Sequence, residues 1–348
     1  RIPPLKMACI ARVAPLLCQC FLCICLSRRL HIGAFSRTVP KVRTPLRSAL
    51  KFNLKLGQHM SEGNTPLAAL REEINGIDDQ IHELLMRRAA IAADVRDTKQ
   101  GAPVWRPARE AQILRRLIAR HNGPFPRTTV VQVWREIVSA MVRLQGEFAV
   151  AVYATENNRM CRDMARDHFG AETPLALYSS ARAVLTAVQD GSATVGVLPI
   201  PEESEETPWW PILAGMSGSG TAVCARLPFA PSAPGIGDSA LCVASIPPDE
   251  SGNDRSLFVL LTSPEVSRAR LNDAIAAAGI KPLRLIGRGT PPDNTSVFLA
   301  ELEGFAGPDD PRVARLTDPD TGLVEAATFI GVYAVPFDAG EIADRETI

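Results

Sequence analysis

TPLAALREEINGIDDQIHELLMRRAAIAADVRDTK, residues 65–99, decides how the N-terminal part of this 348-residue chain folds. Leu67, Leu70, Ile74, Ile77, Ile81 and Leu84 recur at alternating spacings of three and four, the mark of a helix with one continuous apolar stripe. The seven-residue register from Leu67 through Ile74 and Ile81 lands on Arg88, where an apolar residue is due. At about 100° per residue, Lys99 returns to within roughly 20° of Arg88, so the two cations face one side of the helix. Each alone has a bland account. Arg88 extends its guanidinium out of the core, and Lys99 decorates a last turn where the macrodipole favours cations.

The sequence that follows enlarges the set. RPAREAQILRRLIARHNG, residues 106–123, reads as a second helix, with Pro107 in its first turn and Ile113, Leu114, Leu117 and Ile118 on its apolar face. Arg109 and Glu110 also lie in that first turn. A third helix follows Pro126, with Trp134, Ile137, Val138 and Met141 inward, and its stripe runs on to Gln145. A buried Arg or Gln without a partner costs several kcal/mol, so such residues are kept for partners or for a ligand. The planar fork of Arg suits carboxylates, and Lys supplies a compact point charge. Arg71, Arg88, Lys99 and Arg109, accompanied by Glu110 and Gln145, therefore describe a pocket for a small dianion.

The strings PLAALREEINGIDDQIHELLMRRAAIA (66–92), DTK (97–99), RPARE (106–110) and WREIVSAMVRLQ (134–145) together resemble the all-helical chorismate mutases. The likeness is strongest to the mutase domain of the bacterial bifunctional chorismate mutase/prephenate dehydratases. It implies three helices in an intertwined homodimer that converts chorismate to prephenate, a step of aromatic amino-acid biosynthesis. It further implies that Arg88 and Arg71 hold the two carboxylates, Arg71 being donated by the partner subunit. Lys99 and Gln145 would hydrogen-bond the ether oxygen whose bond breaks, Arg109 would line the pocket, and Glu110 would meet the ring hydroxyl. Met141 and Arg106 depart from the family pattern, which has a small hydroxyl residue and an acid at these positions. Spacing supports the two-subunit site independently, because Arg71 and Arg88 are roughly 25 Å apart along one helix, far more than the length of chorismate. The rearrangement is intramolecular and calls for no nucleophile, metal or cofactor, only for a grip on the carboxylates and stabilisation of charge on the ether oxygen.

Beyond Gln145 the pattern alternates strand and helix: strands at 148–154, 174–178 and 193–200, helices at 159–168 and 181–189, and further strands at 221–227 and 240–246. This order predicts an α/β domain with a parallel sheet. The string HFGAETPLALYSSARAVLTAVQDGSATVGVLPI (168–200) resembles the first lobe of prephenate dehydratase. The family's catalytic strings are replaced, by Ala154, Thr155, Glu156 and Asn157, by Pro201, Glu202 and Glu203, and by Arg255, Ser256, Leu257 and Phe258. From Ser256 a βαββαβ order predicts a ferredoxin-like α+β domain, and SVFLAELEGFAGPDDPRVARL (296–316) resembles the ACT regulatory domain. Its ligand motifs are also altered, to Arg268, Ala269 and Arg270 and to Gly287, Arg288, Gly289 and Thr290.

The net charge of zero conceals an asymmetry. Residues 1–59 carry eleven Lys or Arg and no acid, which leaves 27 bases against 38 acids in the remainder. An acidic folded part argues against nucleic acid as its partner. Residues 14–26 form a short apolar run with Cys18, Cys20, Cys23 and Cys25 between Arg12 and Arg28. The run is too short for a transmembrane helix, lacks a clear signal-cleavage site and lacks the second ligand cluster of a zinc module. An extension upstream of a start at Met60 and a transit peptide both fit it. Cys161, Cys224 and Cys242 are scattered and suggest a reducing cytoplasm.

The expected organisation is a disordered basic extension (1–59), a chorismate mutase domain (60–147), a degenerate dehydratase-like α/β domain (148–250), an ACT-like domain (255–337) and a tail (338–348). The expected function is that of a chorismate mutase whose C-terminal half is inactive as a dehydratase. A bifunctional mutase/dehydratase and a non-enzymatic regulatory partner are the alternatives.

Overall fold

A computed structural model describes residues 66–98, 103–156, 158–231, 239–290, 295–318 and 323–343, without the side chains of 96 and 288–290. Lys99, Met60 and the 1–59 extension lie outside the described residues. The first segment forms one uninterrupted helix, α1 (Pro66–Thr98), followed by α2 (Pro107–Arg120) and α3 (Arg127–Gln145). Pro107 occupies the start of α2, where its missing N–H and fixed φ do no harm. Pro126 precedes α3 in an extended conformation.

Helix α1 departs from the expectation that its stripe faces a core. Leu67, Leu70, Ile74, Ile77, Ile81, Leu84, Met86, Ile91 and Val95 are all exposed, Leu84 by 63%. The stripe lies along a helix that reaches α3 but has little else to pack against within one chain. By contrast, α2 and α3 are joined to the rest of the molecule. Trp105 and Val142 share a core with Phe148, Cys161, Phe169 and Cys242, while Leu114, Ile118 and Val131 share another with Phe229 and Phe337. Arg115 of α2 donates to the carbonyls of Ser251, Asn253 and Val335, satisfying backbone groups that packing would otherwise strand.

Nine strands form one sheet in the order β2-β1-β3-β5-β4-β9-β6-β8-β7. These are β1 (Val150–Tyr153), β2 (Leu175–Tyr178), β3 (Val195–Pro199), β4 (Ala222–Leu227), β5 (Ala240–Ala244), β6 (Asp254–Thr262), β7 (Pro282–Thr290), β8 (Thr295–Glu303) and β9 (Ala326–Ala334). Helices α4 (Met160–Phe169) and α5 (Ala181–Gln189) connect the first three strands, which pair in parallel. The expected parallel sheet is thus corrected to a mixed one. Strand β5 pairs antiparallel with both β4 and β3. A short helix, α6 (Trp210–Gly215), adds the buried Trp209 and Trp210 to the core. Trp209 donates its indole N–H to the Pro199 carbonyl at 3.0 Å.

The last four strands and helices α7 (Arg268–Ala277) and α8 (Pro311–Ala314) follow the expected βαββαβ order, and β9-β6-β8-β7 is the ferredoxin-like strand arrangement. They join the first five strands through one parallel pairing, Val223 to Gly331. Gly331 holds φ at +153°, and a Cβ there would run into both the side chain and the backbone of Val223. Gly331→Ala is therefore expected to destabilise the chain by more than about 2 kcal/mol, read as a lowered denaturation midpoint in urea. Among the described residues no helix is long and apolar enough to cross a membrane.

Candidate functional site

Arg71 and Arg88 lie on the same unbroken helix, so their separation of roughly 25 Å is fixed by its rise. Arg71 is exposed, whereas Arg88 is half-buried. Burial draws the Arg88 guanidinium below its usual pKa, and the charge of Glu110 opposes that shift. Of the expected site residues, Arg88 and Glu110 are the two that act on each other across elements.

Glu110 sits in the first turn of α2, where the positive end of the helix dipole suits an acid. Trp105, Phe148, His168 and Phe169 surround it, together with Arg135, and only 8% of the residue is exposed. These rings pack edge to face, with Trp105 and Phe169 centroids 5.4 Å apart and His168 and Phe169 centroids 4.7 Å apart. Arg135 of α3 donates one guanidinium N–H to Glu110 Oε2 at 2.8 Å. Burial pushes the Glu110 carboxyl up to about 7, against the pull of the neighbouring Arg135 and Arg88. Trp105 Nε1 lies close enough to favour the charged carboxylate, although it makes no hydrogen bond of normal geometry.

The same nitrogen of Arg135 lies 3.3 Å from His168 Nε2 on α4. An arginine can only donate, so Nε2 accepts and the imidazole is neutral. Burial first, and the Arg135 charge second, hold the His168 pKa well below its ordinary value. The Arg135 guanidinium also lies over the Phe229 ring, 5.3 Å from its centroid.

The other expected residues are placed differently. Arg109 is exposed and donates to Gln112 Oε1 at 3.2 Å. Gln145 turns back on its own helix, its amide nitrogen donating to the Met141 carbonyl at 3.1 Å. Met141 is buried. Arg106 pairs with Asp249 at 2.5 Å and so points toward the α/β part. Lys99 lies outside the described residues. Within one chain, Arg88 and Glu110 are thus drawn together, while Arg71 and Arg109 face solvent.

Arg135, Trp105 and His168 were not among the residues singled out from the sequence. Arg135 carried a readable signal, since it interrupts the apolar register Val131, Val138, Val142 in the way that Arg88 interrupts that of α1. The thiols of Cys161, Cys224 and Cys242 are free and pushed upward by burial, Cys161 to about 12. Among the described residues no group of His, Cys, Asp and Glu comes together as a metal-ligand set.

Residues 70–146 match the family model of chorismate mutase type II. The chain is 33% identical over 149 residues to a bifunctional chorismate mutase/prephenate dehydratase of Pseudomonas aeruginosa, covering 40% of each protein. It is 31% identical over 140 residues to the protein of the same description from Aquifex aeolicus, covering 38% of each. The aligned stretch thus spans about two fifths of the length of these curated relatives. Among solved structures, the prephenate dehydratase of Streptococcus mutans superimposes with a TM-score of 0.40 at 14% identity, over 55% of this chain and 99% of that one. A quorum-quenching acylase, GqqA, does so with a TM-score of 0.42 at 17% identity, over 56% and 97%.

Proposed function

We propose that this chain is a cytoplasmic chorismate mutase, active as a homodimer in which α1 of each protomer completes the pocket of the other. The observation that carries the reading is the uncovered stripe of α1, which runs beside a half-buried arginine on a helix matched to the mutase family. Each of its large apolar residues is about half-exposed, and covering one contributes on the order of 1 kcal/mol. A second copy presents the same stripe, so a two-fold pair covers both at once.

In that pair, Arg88 of one protomer and Arg71 of the other grip the two carboxylates of chorismate and fold its enolpyruvyl arm over the ring. Arg109 swings from Gln112 to line the pocket. Lys99 and Gln145 stabilise the negative charge that grows on the ether oxygen as its bond to carbon breaks, and Glu110 accepts a hydrogen bond from the ring hydroxyl. Gln145 must exchange the carbonyl of Met141 for the substrate oxygen to do so. The test is to incubate purified protein with chorismate and follow its loss and the appearance of prephenate. No turnover by a folded dimer would reject the reading.

The α/β part is proposed to lack dehydratase activity. Loss of water and carbon dioxide from prephenate needs a proton donor placed at the leaving hydroxyl. Three residues at the altered positions are engaged in ion pairs instead: Glu203 pairs with Arg268, and Arg255 donates to Glu301 Oε1 at 2.8 Å. The ferredoxin-like segment is assigned a structural, ACT-like role. Phenylpyruvate is expected to stay at the level of a protein-free control when prephenate is supplied and the mixture is quenched without acid. Enzymatic release above that control would restore the bifunctional alternative.

A further inference from the structure

Glu110, Arg135 and His168 stand on three different helices, and the last of these, α4, belongs to the α/β part. The side chains of Arg135 and Glu110 are each only 10% exposed, and an ion pair so buried gains little stability over well-packed apolar residues. Stability alone gives no reason to place it beside a pocket. The aromatic enclosure explains what the pair does. Without a cation at hand, a carboxyl among Trp105, Phe148 and Phe169 would take up a proton and lose the charge that makes it a strong acceptor.

We infer that Arg135 is a positioning residue for the mutase reaction, holding the Glu110 carboxylate ionised and oriented, and that His168 makes helix α4 part of that support. The inference rests on the proposed role of Glu110 toward the ring hydroxyl. Arg135 engages Oε2, so the ring hydroxyl would be met by Oε1. His168 Nε2, kept neutral, accepts from the same Arg135 nitrogen and limits where the guanidinium can go. The charged and titratable groups that face Glu110 are Arg135 from α3, Arg88 from α1 and the neutral His168 from α4, and its charge is felt by Cys224 on β4 and Cys242 on β5. Arg135 is the cation in direct contact. The α/β part thereby reaches within one side chain of the mutase carboxylate.

The full chain tests this through two readouts: the pH profile of kcat with chorismate, and an infrared titration of the Glu110 carboxyl, assigned by its loss in E110Q. Activity needs the ionised carboxylate, so the wild-type profile should fall on the acid side near pH 7. R135Q removes the contacting cation, so both the acid limb and the carboxyl titration should move alkaline by about one unit or more. Activity lost at neutral pH should then return above that limb. R135K should recover most of the shift, and H168F should move both readouts the same way by less, with H168Q, which keeps an acceptor, moving them less than H168F. A folded R135Q whose carboxyl titrates where the wild type does would overturn the inference. If R135Q does not fold, H168F read against H168Q decides, and equality of the two with wild type overturns it. A wild-type protein that leaves chorismate unchanged refutes the mutase reading alone, because the infrared titration still tests the support of Glu110.

Discussion

Replacing Lys99 by alanine is expected to lower kcat for chorismate by more than about a hundredfold, the penalty for losing a donor aimed at developing charge. In the proposed rearrangement the bond from ether oxygen to carbon breaks as the carbon–carbon bond forms, and negative charge developing on the oxygen needs a donor. In the proposed role, the Lys99 ammonium would meet that charge without reorganising, and in a water-excluded pocket it would act more strongly than in bulk solvent. The neutral amide of Gln145 makes a weaker hydrogen bond than a charged donor. Gln145→Ala is thus expected to cost less than Lys99→Ala. Arginine is a poor replacement for Lys99, since a flat fork does not present its charge at one point. The measurement is single-enzyme turnover of chorismate at saturating substrate, with far-ultraviolet circular dichroism to confirm that α1 persists. A folded Lys99→Ala that turns over near the normal rate would remove Lys99 from the ether-oxygen role.

The helical part was legible because periodicity and breakers speak for local geometry. The alternating spacing of Leu67 to Leu84 becomes α1, Pro107 opens α2, and Gln145 closes α3. Strands were legible as runs but not as neighbours. The sequence shows β4 and β5 clearly, yet that β5 lies between β3 and β4, antiparallel to both, depends on contacts between distant residues. The same limit applies to the site. Arg88 stands out as an intruder in a stripe, and Glu110 stands in a first turn, so each could be suspected alone. Arg135 breaks a register just as visibly, but its partners come from α2 and α4, and His168 lies 33 residues downstream. The exposed face of α1 marks another boundary of inference from one chain. A stripe read as core-facing stays exposed within one chain, and the proposed second copy would cover it.

Mixing two inactive variants is expected to create activity. If each pocket takes Arg88 from one protomer and Arg71 from the other, R71A and R88A homodimers each have two damaged pockets. A heterodimer of the two concentrates both lesions in one pocket and leaves the second intact. Random exchange makes half the dimers mixed, each with one working pocket of two, so the mixture should reach about a quarter of wild-type turnover. A site built within one chain predicts no gain at all, because every protomer carries a lesion. The two models therefore differ by the whole signal. The rigid path of α1 favours the crossed site, as it holds Arg71 and Arg88 too far apart for one small dianion. Exchange must be driven by mild denaturant and dilution, and its completion checked by mass spectrometry of tagged subunits. Ile77→Asp supplies the complementary control, since a carboxylate in the middle of the stripe should split the dimer and abolish activity while α2, α3 and the sheet remain folded. Full exchange without recovered turnover would place Arg71 outside the pocket, and an active Ile77→Asp monomer would dismiss the shared site altogether.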